Sequence, residues 1–377
     1  MASPDLDPAL AEAPDRSGRY QPESVWLCLS GGGYRAMLFH LGVVWRLNEL
    51  GILPTLARVS SVSGGSITAG VLARAWPRLD FDDRGVARAF ESEVAAPIRA
   101  LARRTIDVPA TLWGALPFAS AGNFVAARYR RHLFDDVSLR DLPDQPVFVF
   151  NASHLKTGKL FRFTKKYIAD WTFGRANDPD VPLAVAVAAS TAFPPFLSPV
   201  TLRLTGLGFL PEPGAAELDT RFAVLSDGGV YDNLGLETIW KRCGVLLVSD
   251  GGGALVPEGR PWSPWPLQTY RVLNLIDSQV RALRVRQLIG AFADGRRRGV
   301  YLGIRTDLKS YGVPPAAAVS RERALALAAT RTRLARMPAA LIGRLINWGY
   351  LVCDSGIRAR VRPDASPSTK LPHDEPI

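Results

Sequence analysis

The tightest constraint on this chain is a pattern that occurs twice before residue 77: an apolar run, a glycine-bearing turn, then a helix. SVWLCLS (24–30) reads as a short buried strand, and Gly31-Gly32-Gly33 follow it. Tyr34 to Leu50 then carries Met37, Leu38, Leu41, Val44, Trp45 and Leu47 on one broad apolar face, and Gly51 stops it. Leu56–Ser61 repeats the strand, Gly64 and Gly65 repeat the turn, and Ile67–Trp76 repeats the helix. Two such units in succession predict an α/β fold, with a mainly parallel sheet and helices on its faces.

Further along, PVFVFNAS (146–153) and Leu160–Thr164 read as strands joined by a turn at Thr157-Gly158, and Pro182–Thr191 as a small-residue helix. Phe222–Ser226 and Val245–Ser249 are apolar strands that each run into Asp-Gly-Gly. Tyr270–Ala293 reads as a long basic helix, Val300–Arg305 as a last strand, and 320–350 as helical. With 47% hydrophobic and 21% charged residues, the 377-residue chain has material for a sizeable core. With neither an internal repeat nor a linker, the organisation reads as one domain over 22–360 with C-terminal helical decoration. Residues 1–21 read as a flexible tail and 361–377 as a Pro-rich one.

No apolar run qualifies as a membrane span. The best candidate, the uncharged run Val108–Ala127, holds Pro109, Gly114, Pro117 and Gly122. The acidic N-terminus lacks the apolar segment of a secretory signal. The expected location is therefore the cytoplasm, with peripheral contact on the inner membrane face. Cys28, Cys243 and Cys353 are odd in number, lack metal spacing, and read as reduced thiols. No metal or cofactor is implied. The net charge of +11 favours anionic partners. Without a nucleic-acid-binding motif, a membrane surface is the expected one and nucleic acid is not.

The first turn admits three readings. Gly31, Gly33 and Ala36 fit a dinucleotide fingerprint, but the next strand ends in Ser60-Ser61 where an acid is needed. A P-loop fails for want of G-K-[ST]. Three consecutive glycines opening a helix would also present bare N–H groups to a developing oxyanion. The second turn favours the last reading. Ser61-Val62-Ser63-Gly64-Gly65 is a near match to the G-x-S-x-G nucleophile elbow, with Ser61 at the first glycine and Gly65 at the last. A serine nucleophile needs a base, and the four histidines are poorly disposed: His40 lies within a helix, His132 beside Arg131, His154 after a strand and His373 near the end. A carboxylate base is the sharper expectation. Asp227 (LSDGGVYDNLG) and Asp250 (VSDGGGAL) are the two candidates.

Taken together these segments resemble the patatin-like phospholipase family. The matching residues are Gly31-Gly32-Gly33-Tyr34-Arg35, Ser61-Val62-Ser63-Gly64-Gly65 and Asp227-Gly228-Gly229, supported by FNASHLKTGKLFRF and AVAASTAFPPFLSPV. The resemblance runs from about Val25 to Gly235 and departs from the pattern at Ser61 and Gly235. It implies a three-layer α/β/α patatin-like fold and a Ser–Asp dyad, with Ser63 as nucleophile and Asp227, marked by Asn233 downstream, as base. Gly31, Gly32 and Gly33 would form the oxyanion hole, with Arg35 orienting that loop or meeting a phosphate. The implied activity is lipid acyl-ester hydrolysis of the phospholipase A or lysophospholipase type. The alternatives are a silent membrane- or partner-binding module on the same fold and, less favoured, a dinucleotide-binding oxidoreductase. Val108–Ala127 and the basic segments are expected to form an entrance that meets anionic bilayers. Head-group preference and oligomeric state are not legible.

Overall fold

Alternation along the first strand divides the core in two. Leu27 and Leu29 face a large cluster that includes Met37, Leu38, Ile67 and Leu351, while Trp26 and Cys28 face a small one with Leu246, Val248 and Leu288. The computed structural model describes residues 21–114, 120–215, 217–240, 243–255, 257–259, 264–375 and 377. Most of the expected N-terminal tail (1–20) and part of the apolar stretch (115–119) lie outside these residues.

In chain order, Gln21–Leu29 (β1), Gly33–Glu49 (α1), Leu56–Ser61 (β2) and Gly64–Ala75 (α2) form the doubled unit. Ala96–Ala102 (α3), Asp107–Gly114 (α4) and Ala121–Tyr129 (α5) follow. Then come Val147–His154 (β3), Lys159–Phe163 (β4), Tyr167–Asp170 (β5), Gly174–Asn177 (β6), Leu183–Ser190 (α6), Val200–Arg203 (β7) and Leu210–Pro211 (β8). Phe222–Asp227 (β9), Gly229–Asp232 (α7), Cys243–Asp250 (β10), Trp265–Ala293 (α8), Arg298–Gly303 (β11), Arg321–Ala328 (α9) and Ala339–Arg360 (α10) complete the described elements.

The sheet runs β11-β10-β1-β2-β3-β4-β5-β6-β8, with β9 pairing β3 and β7. The β11-β10-β1-β2-β3 block is parallel, as expected, and the remaining pairs are antiparallel. Asp227 and Asp250, which look alike in sequence, therefore sit differently. Asp250 ends a strand of the parallel block. Asp227 ends a strand antiparallel to β3, where it stands opposite Ala152.

The α1 helix is buried on nearly every side, because α10 closes over it. Within the expected Pro-rich tail (361–377), Ser366, Ser368 and His373 are tied to α1 and α10. Arg46 Nη2 donates to Ser366 O (2.7 Å), the Tyr350 and Ser368 hydroxyls pair (2.6 Å), and Asn347 Nδ2 donates to His373 O (2.8 Å). Cys28 and Cys353 are buried and form no disulfide. The Cys243 side chain lies outside the described residues. Among the described residues, no helix is long and apolar enough to cross a membrane.

Candidate active site

Two helix N-termini converge because glycine lets them. Gly32 and Gly33 turn the chain from β1 into α1 with φ of 141° and 60°, values that L side chains rarely adopt. A Cβ on Gly64 would collide with Gly33 O, and one on Gly31 would collide with Asn233 Oδ1 and stand 3.1 Å from Ser63 Cβ. The glycine turn, the elbow and the segment after β9 are thus packed backbone to backbone.

Between β2 and α2, Ser63 has φ 50° and ψ −122°. A non-glycine residue held there is strained, and such strain concentrates at functional turns. The strain is held by a net of buried hydroxyls. Ser63 N–H donates to Ser190 Oγ (3.1 Å), which donates to Asn151 O (2.6 Å) and pairs with Ser66 Oγ (2.8 Å). Ser66 Oγ donates to Ser61 Oγ (3.0 Å), which donates to Val149 O (3.1 Å). Ser61 lies outside the left-handed region, so the position needs no glycine, and its hydroxyl anchors the turn. Gly65, in the first turn of α2, donates to Ser30 O (3.0 Å).

The Asp227 carboxylate is buried against this turn. Its Oδ1 accepts the Gly229 N–H (2.7 Å), and its Oδ2 has no hydrogen-bond partner within ordinary geometry. Burial raises its pKa to about 7. The Gly229 amide and the Ser63 side chain, close enough to act on it, pull it down, while the Asp277 charge pushes it further up. Asp277, on α8, accepts from Asn233 Nδ2 (3.1 Å) and is itself raised by burial to about 6. Asn233 O and Oδ1 both accept the Gly31 N–H, each at 3.0 Å. The amides of Gly32, Gly33 and Gly64 have no acceptor among the described residues and lie where the α1 and α2 dipoles begin.

Arg35 does not face this site. It is buried and donates to Gly251 O (3.0 Å) and Thr330 O, so it fastens the glycine turn to the loop after β10. Burial, with Arg281 nearby, lowers its pKa to about 10. Asp250 is likewise occupied. It accepts from Tyr301 OH (2.7 Å) and Gly252 N–H (2.8 Å) and pairs with Arg281 (3.4 Å). Although burial pushes its pKa up, those partners hold it below the usual carboxylate range. No histidine bonds to Ser63 or Asp227 among the described residues. His40 is held by Ser249 Oγ (2.7 Å) and Ser30 O (2.9 Å), and His154 by Asp170 (2.8 Å). No group of three His, Cys, Asp or Glu side chains there is disposed to share a metal ion.

Sequence reading missed Ser190, Asn151 and Asp277. Only Asp277 left a signal, as the sole acid in a helix with four arginines. Chemically, the arrangement joins a strained hydroxyl, a carboxylate poised near neutrality and unsatisfied amides at two helix starts.

Residues 27–240 match the family described as patatin-like phospholipase. The chain belongs to the patatin-like phospholipase family. That membership sets aside the dinucleotide reading of Gly31, Gly33 and Ala36. No curated protein matches the chain. Among solved structures it is similar to human GIVD cytosolic phospholipase A2 in complex with methyl gamma-linolenyl fluorophosphonate. That likeness has 12% identity and a TM-score of 0.49, covering 89% of this chain and 58% of that one. It is also similar to VipD from Legionella pneumophila, with 15% identity and a TM-score of 0.34, covering 83% of this chain and 66% of that one. The chain thus spans less than two thirds of the length of these structures.

Proposed function

We propose that the protein is a lipid acyl hydrolase, cleaving carboxylic esters of phospholipids or lysophospholipids with a Ser63–Asp227 dyad. Family membership supports lipid-ester hydrolysis as the class of reaction. The observation that carries the finer reading is the Asp227 carboxylate, buried beside Ser63 with Oδ2 unpartnered and a pKa near 7. A base of that strength is half-ionised at neutral pH, which suits proton transfer in both directions.

In the proposed cycle Ser63 Oγ attacks the ester carbonyl as its proton passes to Asp227. The tetrahedral oxyanion is held by the Gly32 and Gly33 amides, with Gly64 beside them. Gly31, expected among the donors, is already bonded to Asn233 and acts by fixing the loop. Asp227 then protonates the departing alcohol, leaving an acyl-serine. Water attacks that ester, Asp227 takes its proton, and collapse releases the fatty acid with the proton returned to Ser63. The substrate is presented at an anionic membrane surface, in keeping with the net charge of +11.

The test is release of fatty acid from a phospholipid panel by wild type and Ser63→Ala. Hydrolysis by wild type with loss of about a thousandfold or more in the variant is expected. A Ser63→Ala protein that cleaves at the wild-type rate would refute the dyad.

A further inference from the structure

The α8 helix is amphipathic the wrong way round. Its inner line, Asp277, Arg281 and Arg284, is polar and meets the protein. Asp277 binds Asn233, Arg281 pairs with Asp250, and Arg284 pairs with Glu237 (3.4 Å) and Asp232 (3.7 Å). Its outer line is apolar. Trp265, Val272, Ile276 and Leu283 recur at helical spacing with 76%, 46%, 54% and 58% of their surface exposed. Among the described residues, its packing against the core is concentrated in the C-terminal third, through Val285, Leu288 and Phe292 against the small cluster. A surface helix packed on a core ordinarily places these faces oppositely, and an exposed apolar stripe of this kind marks a contact surface.

We propose that the outer face of α8 is a docking surface for a bilayer containing anionic phospholipid. The proposal rests on the lipid-hydrolase reading of the adjoining site. The first argument is continuity with that site. Through Asp277 and Asn233 the inner face of α8 touches the residue that holds Gly31. Tyr270 packs on the exposed Phe196 at 5.6 Å. A lipid surface resting on the stripe therefore lies on the helix that is bonded directly to the segment holding the glycine turn. The second argument is charge. The single carboxylate of α8 is turned inward, and the exposed Arg286 borders the outer stripe. Arg331 and Arg336 are likewise exposed near the start of α1, where Arg333 O accepts the Tyr34 N–H (3.0 Å). The nearest exposed acid, Glu258, is neutralised by Arg271 of the same helix (3.1 Å), so an apolar stripe bordered by Arg286 fits the headgroup boundary of an anionic leaflet.

The test uses the full chain carrying Ser63→Ala, so that binding is read without hydrolysis. Partition onto sedimented vesicles of phosphatidylcholine and phosphatidylglycerol is compared before and after adding Val272→Ser, Ile276→Ser and Leu283→Ser together. Each of the three has roughly half its surface left to bury, so partition is expected to fall by about a hundredfold. It should also weaken when phosphatidylglycerol is omitted. Leu325→Ser, exposed on α9, is the control and should bind as the parent, and thermal melting checks that the triple variant is folded. Equal partition of parent and folded triple variant overturns the proposal. So does a parent that is dimeric by light scattering, becomes monomeric in the triple variant and binds vesicles in neither form. Vesicle binding without hydrolysis by the Ser63 enzyme defeats only the functional reading. Hydrolysis of a dispersed short-chain ester, with the α8 changes immaterial to binding, defeats only this one.

Discussion

Replacing Asp227 by Asn should make the protein more stable and nearly inactive. In the folded chain burial holds this carboxyl at about 7, against an ordinary value of 3.8. Because the folded pKa is raised, the native state binds the proton more tightly than the unfolded chain. Stability conferred by the protonated form is present below pH 4 and is lost as pH rises toward 7. Above pH 7 the ionised carboxylate of this almost wholly buried side chain costs the native state at most about 4 kcal/mol. Asn keeps the acceptor for the Gly229 amide and removes the charge, so much of that cost should be recovered. In thermal melts at pH 8 we expect a gain of about 4 °C or more for Asp227→Asn, closing as the pH is lowered to 4. On a soluble ester, loss of the base should lower kcat by about a thousandfold or more. An Asn variant that melts lower than wild type at pH 8, or whose difference is the same at both pH values, would refute the assignment of a buried base destabilised by its charge.

Three other outcomes follow from the same geometry. The kcat/KM of the wild type should rise with pH through a midpoint near 7 as Asp227 ionises, and Asp277→Asn, by removing the neighbouring charge, should move that midpoint down; a flat profile between pH 5 and pH 9 would contradict it. Gly31→Ala drives a methyl group into Asn233 Oδ1 and against Ser63 Cβ, so kcat should fall by about a hundredfold; retention within threefold would show that the loop need not be fixed there. Arg35→Met leaves Gly251 O and Thr330 O without their donor and should cost about 2–4 kcal/mol in urea unfolding, with Arg35→Lys only a partial rescue; an unfolding midpoint equal to wild type would remove Arg35 from the tether.

Much of the site was legible because its geometry demands particular residues. Only glycine serves at Gly32 and Gly33, and the clash distances at Gly31 and Gly64 show why small residues cluster on both turns. The bounds of β2 emerged as read, since its burial is marked by turn residues on either side. Of the antiparallel wing, β4 and β9 were legible and the shorter strands were not. Tyr167–Asp170, Gly174–Asn177 and Leu210–Pro211 are two to four residues long, too short for a period to register. The unequal placing of Asp227 and Asp250 was hidden for another reason. Both end apolar runs, and only strand order reveals that one lies in the parallel block and the other across from Ala152. Periodicity in α8 gave a helix but not its orientation, because a pattern of two faces does not say which is turned inward. The segment after Arg360 read as a Pro-rich tail, and composition gave no sign of the hydrogen bonds with Asn347, Tyr350 and Arg46 that tie it to the helices.

The central claim is that Ser63 is a nucleophile activated by Asp227. Its most direct test is the reaction of the purified protein with a fluorophosphonate, followed by peptide mass mapping. A single adduct on the peptide containing Ser63 is expected, forming faster as pH rises through about 7, slowed strongly in Asp227→Asn and absent in Ser63→Ala. Labelling that persists in Ser63→Ala, or that forms at the same rate in Asp227→Asn, would contradict it.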